Sequence, residues 1–187
     1  MLKDLLYKVN IKSVTGNTSL TIKSLQTDSR KTTPGTCFIA IKGHSSDGHD
    51  FIEKAIEMGA IAIVCETMPS KITEGITYVS VLNSAVAAGI MSHHFYGEPS
   101  LKMKITGVTG TNGKTSCTQW LGQALSLQRM PTAVIGTLGA GQWRNGASGI
   151  FKMTGFTTPD AVQLHRELAE QKKQGAVALA KIGRAHV

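Results

Sequence analysis

The stretch GVTGTNGKTS, Gly107 to Ser116, gathers residue types that can hold a chain of phosphates. Such a loop needs a strand to aim it, backbone N–H groups free to face an anion, and a helix whose N-terminus carries roughly half a positive charge. KITGV supplies the strand, Gly110 and Gly113 permit the tight turn, and Lys114-Thr115 open a helix. Lys114 can then reach the terminal phosphates as a point charge, and the Thr115 hydroxyl can hold the magnesium ion that bridges them. The spacing departs from G-x-x-x-x-G-K-[ST], which asks for glycine at position 108, where Val108 stands. A solvated glycine-rich turn is the plain alternative. It leaves the strand, the helix and the Lys-Thr pair to coincidence.

The elements that must position this loop alternate between short β-branched runs and helical ones. TCFIAI (36–41), AIAIVC (60–65) and TYVSV (77–81) read as strands. HDFIEKAIEMG and NSAVAAGIMSHHFYG read as the helices after the first and third, the latter capped by Asn83. His93 and His94 at its end read as structural or exposed. GEPSLK (97–102) reads as a linker between two domains, 1–102 and 103–180. In the second, KITGVTG is a strand, and a helix over 114–128 carries Cys117, Leu121, Ala124 and Leu125 on one face. TAVIGTLG reads as the next strand, and Asn145-Gly146 and Ser148-Gly149 as hairpin turns. Thr158-Pro159-Asp160 reads as an N-cap, a first-turn proline and a first-turn acid, starting a helix to Gly175 before the strand AVALA. This alternation predicts an α/β fold with largely parallel sheets.

Composition narrows the class. A chain of 187 residues, 41% hydrophobic and 17% charged, reads as globular and soluble. No apolar run approaches the roughly 18 residues a membrane span needs, so no membrane insertion is expected and the cytoplasm is the default location. Cys37, Cys65 and Cys117 form no C-x-x-C pair and read as buried thiols. The net charge of +8 favours anionic partners, but aromatics are only 5% and no basic run interleaves with them, which argues against nucleic acid.

GVTGTNGKT resembles the variant ATP loop of the Mur ligase family, whose spacing departs from the usual phosphate loop in the same way. LQTDSRKTTPGTCFIAIKGHSSDGHDFI resembles that family's N-terminal domain, and IGTLG and FTTPDAVQLHREL are similar to segments of its central domain. Their order narrows the resemblance to the branch that adds the third peptide residue in peptidoglycan precursor synthesis, and it covers nearly all of residues 1–180. It implies a small N-terminal α/β domain that binds the UDP-linked substrate, followed by the truncated start of a P-loop central ATPase domain. Gly110, Thr111, Asn112, Gly113, Lys114, Thr115 and Ser116 would bind ATP, with Lys114 catalytic and Thr115 holding Mg2+. Thr27 and Ser29, the loop residues His44, Ser45 and Ser46, and the pair Thr157 and Thr158 would contact the UDP-N-acetylmuramoyl-dipeptide. Asp47 and Asp50 would repel a diphosphate and take no such role; Phe156 takes none either.

The reaction implied is ATP-dependent amide formation between UDP-N-acetylmuramoyl-L-alanyl-D-glutamate and a diamino acid, by a protein that is monomeric at full length. The family pattern breaks after AVALA, and Ile182 to Val187 can be back-translated into a common sequencing-library adapter. Residues 181–187 are therefore expected to be non-native, and the chain an incomplete, inactive fragment in which lysine and diaminopimelate cannot be told apart. Other readings are a non-catalytic UDP-sugar-nucleotide-binding module and another Mur or folylpolyglutamate-type ligase. A GTPase or kinase is disfavoured by the lack of an N-K-x-D motif or a kinase-type lid sequence.

Overall fold

Continuous apolar runs with no polar alternation belong in strands covered on both faces, and the runs at 36–41, 60–65 and 77–81 form the middle of one sheet. The computed structural model describes residues 1–43, 46–153 and 159–183, and the chain divides into two units, Met1–Phe95 and Tyr96–Val187.

The first unit runs α1 (Leu2–Leu5), β1 (Ile11–Thr15), β2 (Ser24–Gln26), β3 (Thr36–Ile39), α2 (Ile52–Glu57), β4 (Ala60–Cys65), β5 (Thr77–Val81) and α3 (Ser84–Phe95). Its five-stranded sheet has the order β1-β5-β4-β3-β2. β1 lies antiparallel to β5, and the other neighbours are parallel. β3 and β5 are buried along their whole length. Phe38, Ile63 and Tyr78 pack with Ile52 and Ala55 of α2 into one core. The cap expected on α3 is present, since the Asn83 side chain accepts the Val86 N–H at 2.9 Å.

The second unit runs β6 (Lys104–Val108), α4 (Lys114–Leu127), β7 (Thr132–Gly136), β8 (Gly139–Arg144), β9 (Ala147–Ser148), α5 (Ala161–Lys173) and β10 (Ala178–Ile182). Its sheet order is β6-β10-β7-β8-β9, with β10 parallel to both β6 and β7. β8 and β9 are antiparallel additions. TAVIGTLG is therefore not one strand: β7 ends at Gly136, which pairs with Gly139 across a two-residue turn of Thr137 and Leu138. The hairpin expected at Asn145-Gly146 is present, with both residues at positive φ. The GEPSLK segment contains a 3-10 turn, Pro99–Lys102, that packs on α5.

Two expectations about helices are corrected. The buried residues of α4 are Thr118, Gly122 and Ser126, whereas Cys117 and Ala124 are exposed. The reason is close approach. A Cβ on Gly122 would lie 2.6 Å from Val134 Cγ2 and 2.8 Å from Trp143 Cδ1, so only small side chains let the helix sit this near the sheet. The exposed Cys117 also departs from the reading of three buried thiols; Cys37 and Cys65 are buried. Second, the N-cap of α5 is Asp160, not Thr158: its carboxylate accepts the Gln163 N–H at 2.8 Å. Pro159 therefore lies before the helix, and the Asp160 carboxylate satisfies one of the helix's free N–H groups.

Candidate functional site

In the second unit the chain leaves β6 at Val108 and enters α4 at Lys114. Gly110 has φ +146° and Gly113, the N-cap of α4, has φ +77°. Both are regions that a side chain strains to enter, so the two glycines make this turn available. The first N–H groups of a helix have no partner within it, and no side chain caps this end. Thr111, Asn112, Gly113 and Ser116 are exposed, while Gly110, Lys114 and Thr115 are half-buried.

Lys114 folds back into the loop. Its Nζ donates to the Gly110 carbonyl at 2.5 Å and to the Thr111 carbonyl at 2.9 Å. A phosphate oxygen carries full charge and offers this ammonium a stronger acceptor than a carbonyl does. The loop can therefore exchange an internal bond for one to a ligand. The Thr115 hydroxyl donates to the Thr137 hydroxyl, at 3.3 Å, across from the β7–β8 turn. Thr115 fits a magnesium ion in the limited way that ion requires: one neutral oxygen, the remaining ligands coming from water and phosphate.

In the first unit, Thr27 and Ser29 flank Asp28 at the end of β2. Ser29, the first residue of a 3-10 turn, is only 5% exposed, and Thr27 is half-buried. Asp28 accepts from Arg30 Nε at 2.9 Å and Arg30 Nη2 at 3.0 Å, a two-point pair. Those hydrogen bonds, with one from the Arg30 N–H and the nearby charges of Arg30 and Lys31, hold the Asp28 carboxyl below the usual carboxylate range. The following loop closes through the Gly43 N–H, which donates to the Ser46 carbonyl at 2.9 Å and leaves Ser46 exposed. His44, Ser45, Thr157 and Thr158 lie outside the described residues.

Sequence reasoning assigned nothing to His49, yet it fastens this loop. Its Nε2 accepts the Glu66 N–H at 2.9 Å and the Thr67 N–H at 3.4 Å. The ring proton therefore belongs on Nδ1, which lies 2.6 Å from Asp47 Oδ1 and donates to it. The His49 backbone and side chain together draw the Asp47 carboxyl below its usual range. The D-G-H run at 47–49 was the available signal, an aspartate turning back on a residue two positions later. Thr137 was missed as well, because it meets Thr115 only in space.

Among the described residues no helix is long and apolar enough to cross a membrane. A family model described as the catalytic domain of the Mur ligase family matches residues 21–96, and one described as the Mur ligase middle domain matches 108–180. The UDP-N-acetylmuramoyl-L-alanyl-D-glutamate–2,6-diaminopimelate ligase of Janthinobacterium sp. (strain Marseille) is 44% identical over 83% of this chain and 31% of its own. The ligase of the same name from Cytophaga hutchinsonii is 40% identical over 93% of this chain and 35% of its own. The chain thus spans about a third of the length of the curated relatives it matches. A solved structure titled as that same ligase superposes with a TM-score of 0.72 at 26% identity, covering 98% of this chain and 35% of the other. A MurF ligase from Thermotoga maritima in complex with ADP shares the fold at a TM-score of 0.58 and 23% identity, over 89% of this chain and 33% of that one. Matches to two domains of one family, in sequence order and over both units, show that this chain belongs to the Mur ligase family.

Proposed function

We propose that the protein is an ATP-dependent ligase of the MurE type, joining 2,6-diaminopimelate to UDP-N-acetylmuramoyl-L-alanyl-D-glutamate. The relatives supply the substrate names, and the observation that carries the reading to this chain is the loop at 109–113. Two left-handed glycines, an uncapped helix end and an ammonium resting on exchangeable carbonyl partners together form an acceptor for nucleotide phosphates. Gly110, Thr111, Asn112, Gly113 and Ser116 line the loop around Lys114, and Thr115 would hold the magnesium ion that accompanies ATP. That ion neutralises charge on the phosphates when bound.

A D-glutamate carboxylate oxygen attacks the terminal phosphorus, ADP leaves, and an acyl phosphate forms. The amine nitrogen then attacks the acyl carbon, phosphate departs and the nitrogen loses a proton, leaving the amide. Lys114 contributes by placing positive charge where the transferred group gains negative charge. In this reading Thr27, Ser29 and Ser46, with His44, Ser45, Thr157 and Thr158, contact the UDP-linked substrate. The substrate-binding domain is the first unit, Met1–Phe95, rather than 1–102, because the 96–102 segment groups with the second unit, which belongs to the ATP-binding domain. The reaction takes place in the cytoplasm, where both nucleotide substrates are available.

Titration of the 187-residue chain with ADP and Mg2+ tests the loop directly. Lys114→Ala should weaken binding about 10–100-fold, the range for losing a charged hydrogen bond. Binding of UDP-N-acetylmuramoyl-L-alanyl-D-glutamate should change less than twofold. Equal Mg·ADP affinity in the two proteins sinks the assignment of this loop.

A further inference from the structure

We propose that Thr137 is a positioning residue for the magnesium nucleotide: it accepts the hydrogen bond that the Thr115 hydroxyl donates and so turns the Thr115 oxygen toward the metal. The inference rests on the reading of the loop given above. A threonine hydroxyl has one proton and two lone pairs, and a cation can use only the lone pairs. For Thr115 to face magnesium, its proton has to point elsewhere, into an acceptor. The acceptor in place is Thr137 Oγ1, 3.3 Å away.

The position of Thr137 is fixed by the sheet rather than by the loop it serves. β7 is buried over its whole length and paired on both sides, by β10 and β8. Gly136 and Gly139 close the two-residue turn that presents Thr137. Thr115 is fixed independently, in the first turn of α4, whose Gly122 lies against Val134 of β7. Two rigid elements thus bring two hydroxyls together beside a phosphate-type loop. The contact is longer than the usual O–H···O distance of roughly 2.5–3.0 Å, and Thr137 is exposed, so as a bond between two parts of the fold it holds little. A cation drawing on the Thr115 oxygen acidifies its proton and shortens the bond. Thr137 can in turn donate its own proton to the bound anion, so the two hydroxyls reinforce one another.

The test is calorimetric titration of the 187-residue chain with ADP, once with excess Mg2+ and once with EDTA, for the unaltered protein, Thr137→Val and Thr137→Ser. Valine keeps the shape and removes the acceptor; serine keeps the hydroxyl. Thr137→Val should lose about fivefold to tenfold in Mg·ADP affinity, the worth of one hydrogen bond. Its affinity for ADP in EDTA should stay within twofold, and Thr137→Ser should restore the magnesium effect. Thr137→Val weakening both forms alike would mark the contact as merely structural and overturn the proposal, as would no change in either form. An unaltered chain that binds ADP equally with and without Mg2+ also overturns it while leaving the loop assignment standing. A folded, unaltered chain that binds no ADP counts against the loop itself, which is a separate failure.

Discussion

In each unit a side chain ties down a loop, His49 in the first and Lys114 in the second, and the two ties are chemically opposite. His49 offers an acceptor, Nε2, to backbone N–H groups at the end of β4, and its other nitrogen is held by Asp47. Lys114 offers a donor to carbonyls of the loop it leads out of. Removing the imidazole leaves the partly shielded Glu66 N–H without its protein partner. In the proposed function, an incoming phosphate would displace the ammonium from its carbonyl partners. The first tie is a part of the fold, and the second is a bond held in waiting. Side chains near a loop therefore say little about ligands until their partners are known.

The comparison breaks first, and with the largest effect, at the helix that carries Lys114. Gly122→Leu places a branched side chain where a Cβ alone meets Val134 at 2.6 Å and Trp143 at 2.8 Å. Neither neighbour yields readily: Val134 is a buried, β-branched core residue, and the Trp143 indole N–H is held by Gln119 at 2.8 Å. Overpacking of this kind costs about 1–3 kcal/mol, and the variant belongs at the upper end. Urea unfolding should show that loss, with weaker Mg·ADP binding because the N-terminus of α4 moves with the helix. A variant as stable as the parent would mean α4 is free to slide, and that the loop is not aimed by the sheet.

His49→Ala sharpens the contrast. His49 is 17% exposed on its side chain, so the Glu66 N–H it satisfies is partly shielded from water. Leaving such a donor unpaired costs about 1–2 kcal/mol. Unfolding of the first unit should register that cost, while ADP affinity stays unchanged. Lys114→Ala should do the reverse, with a large loss of nucleotide affinity and little loss of stability. A variant pair that fails to cross over in this way would show that the two ties are of one kind.

What could be read in the sequence follows the same division. β4 and β5 were legible to the residue at 60–65 and 77–81, because strands buried on both faces advertise themselves as unbroken apolar runs. β1 was not: all five residues of IKSVT are exposed, and only its antiparallel pairing with β5 makes it a strand. The strand, glycine turn and helix at 104–127 were legible because glycine, lysine and threonine stand within one turn of each other. The seating of α4 was misread because Cys117 and Ala124 look apolar, whereas close approach to a sheet selects Thr118, Gly122 and Ser126 for size. Thr137 lies within the IGTLG segment that marked the family resemblance, but nothing local assigned its side chain a partner. Its meaning comes from standing opposite Thr115, a neighbour twenty-two residues away in the chain.

The smallest effect concerns the D-S-R turn, where an exposed tie can be compared with the shielded one at His49. Asp28 receives two bonds from the Arg30 side chain, and Arg30 is 78% exposed. Water and salt screen such a pair, so Asp28→Asn should cost only about 0.2–1 kcal/mol. Its pH dependence has a definite sign. The carboxyl is held below its usual range by Arg30, so folding favours the charged form. That contribution is fully present above the ordinary carboxylate pKa of about 3.9 and is lost as pH falls through the lower value of the folded protein. The stability difference between the parent and Asp28→Asn should hold constant from pH 7 to about pH 5, then shrink toward pH 3. Paired urea unfolding curves at those pH values measure it. A difference that persists undiminished at pH 3 would remove the ion pair with Arg30 from the account.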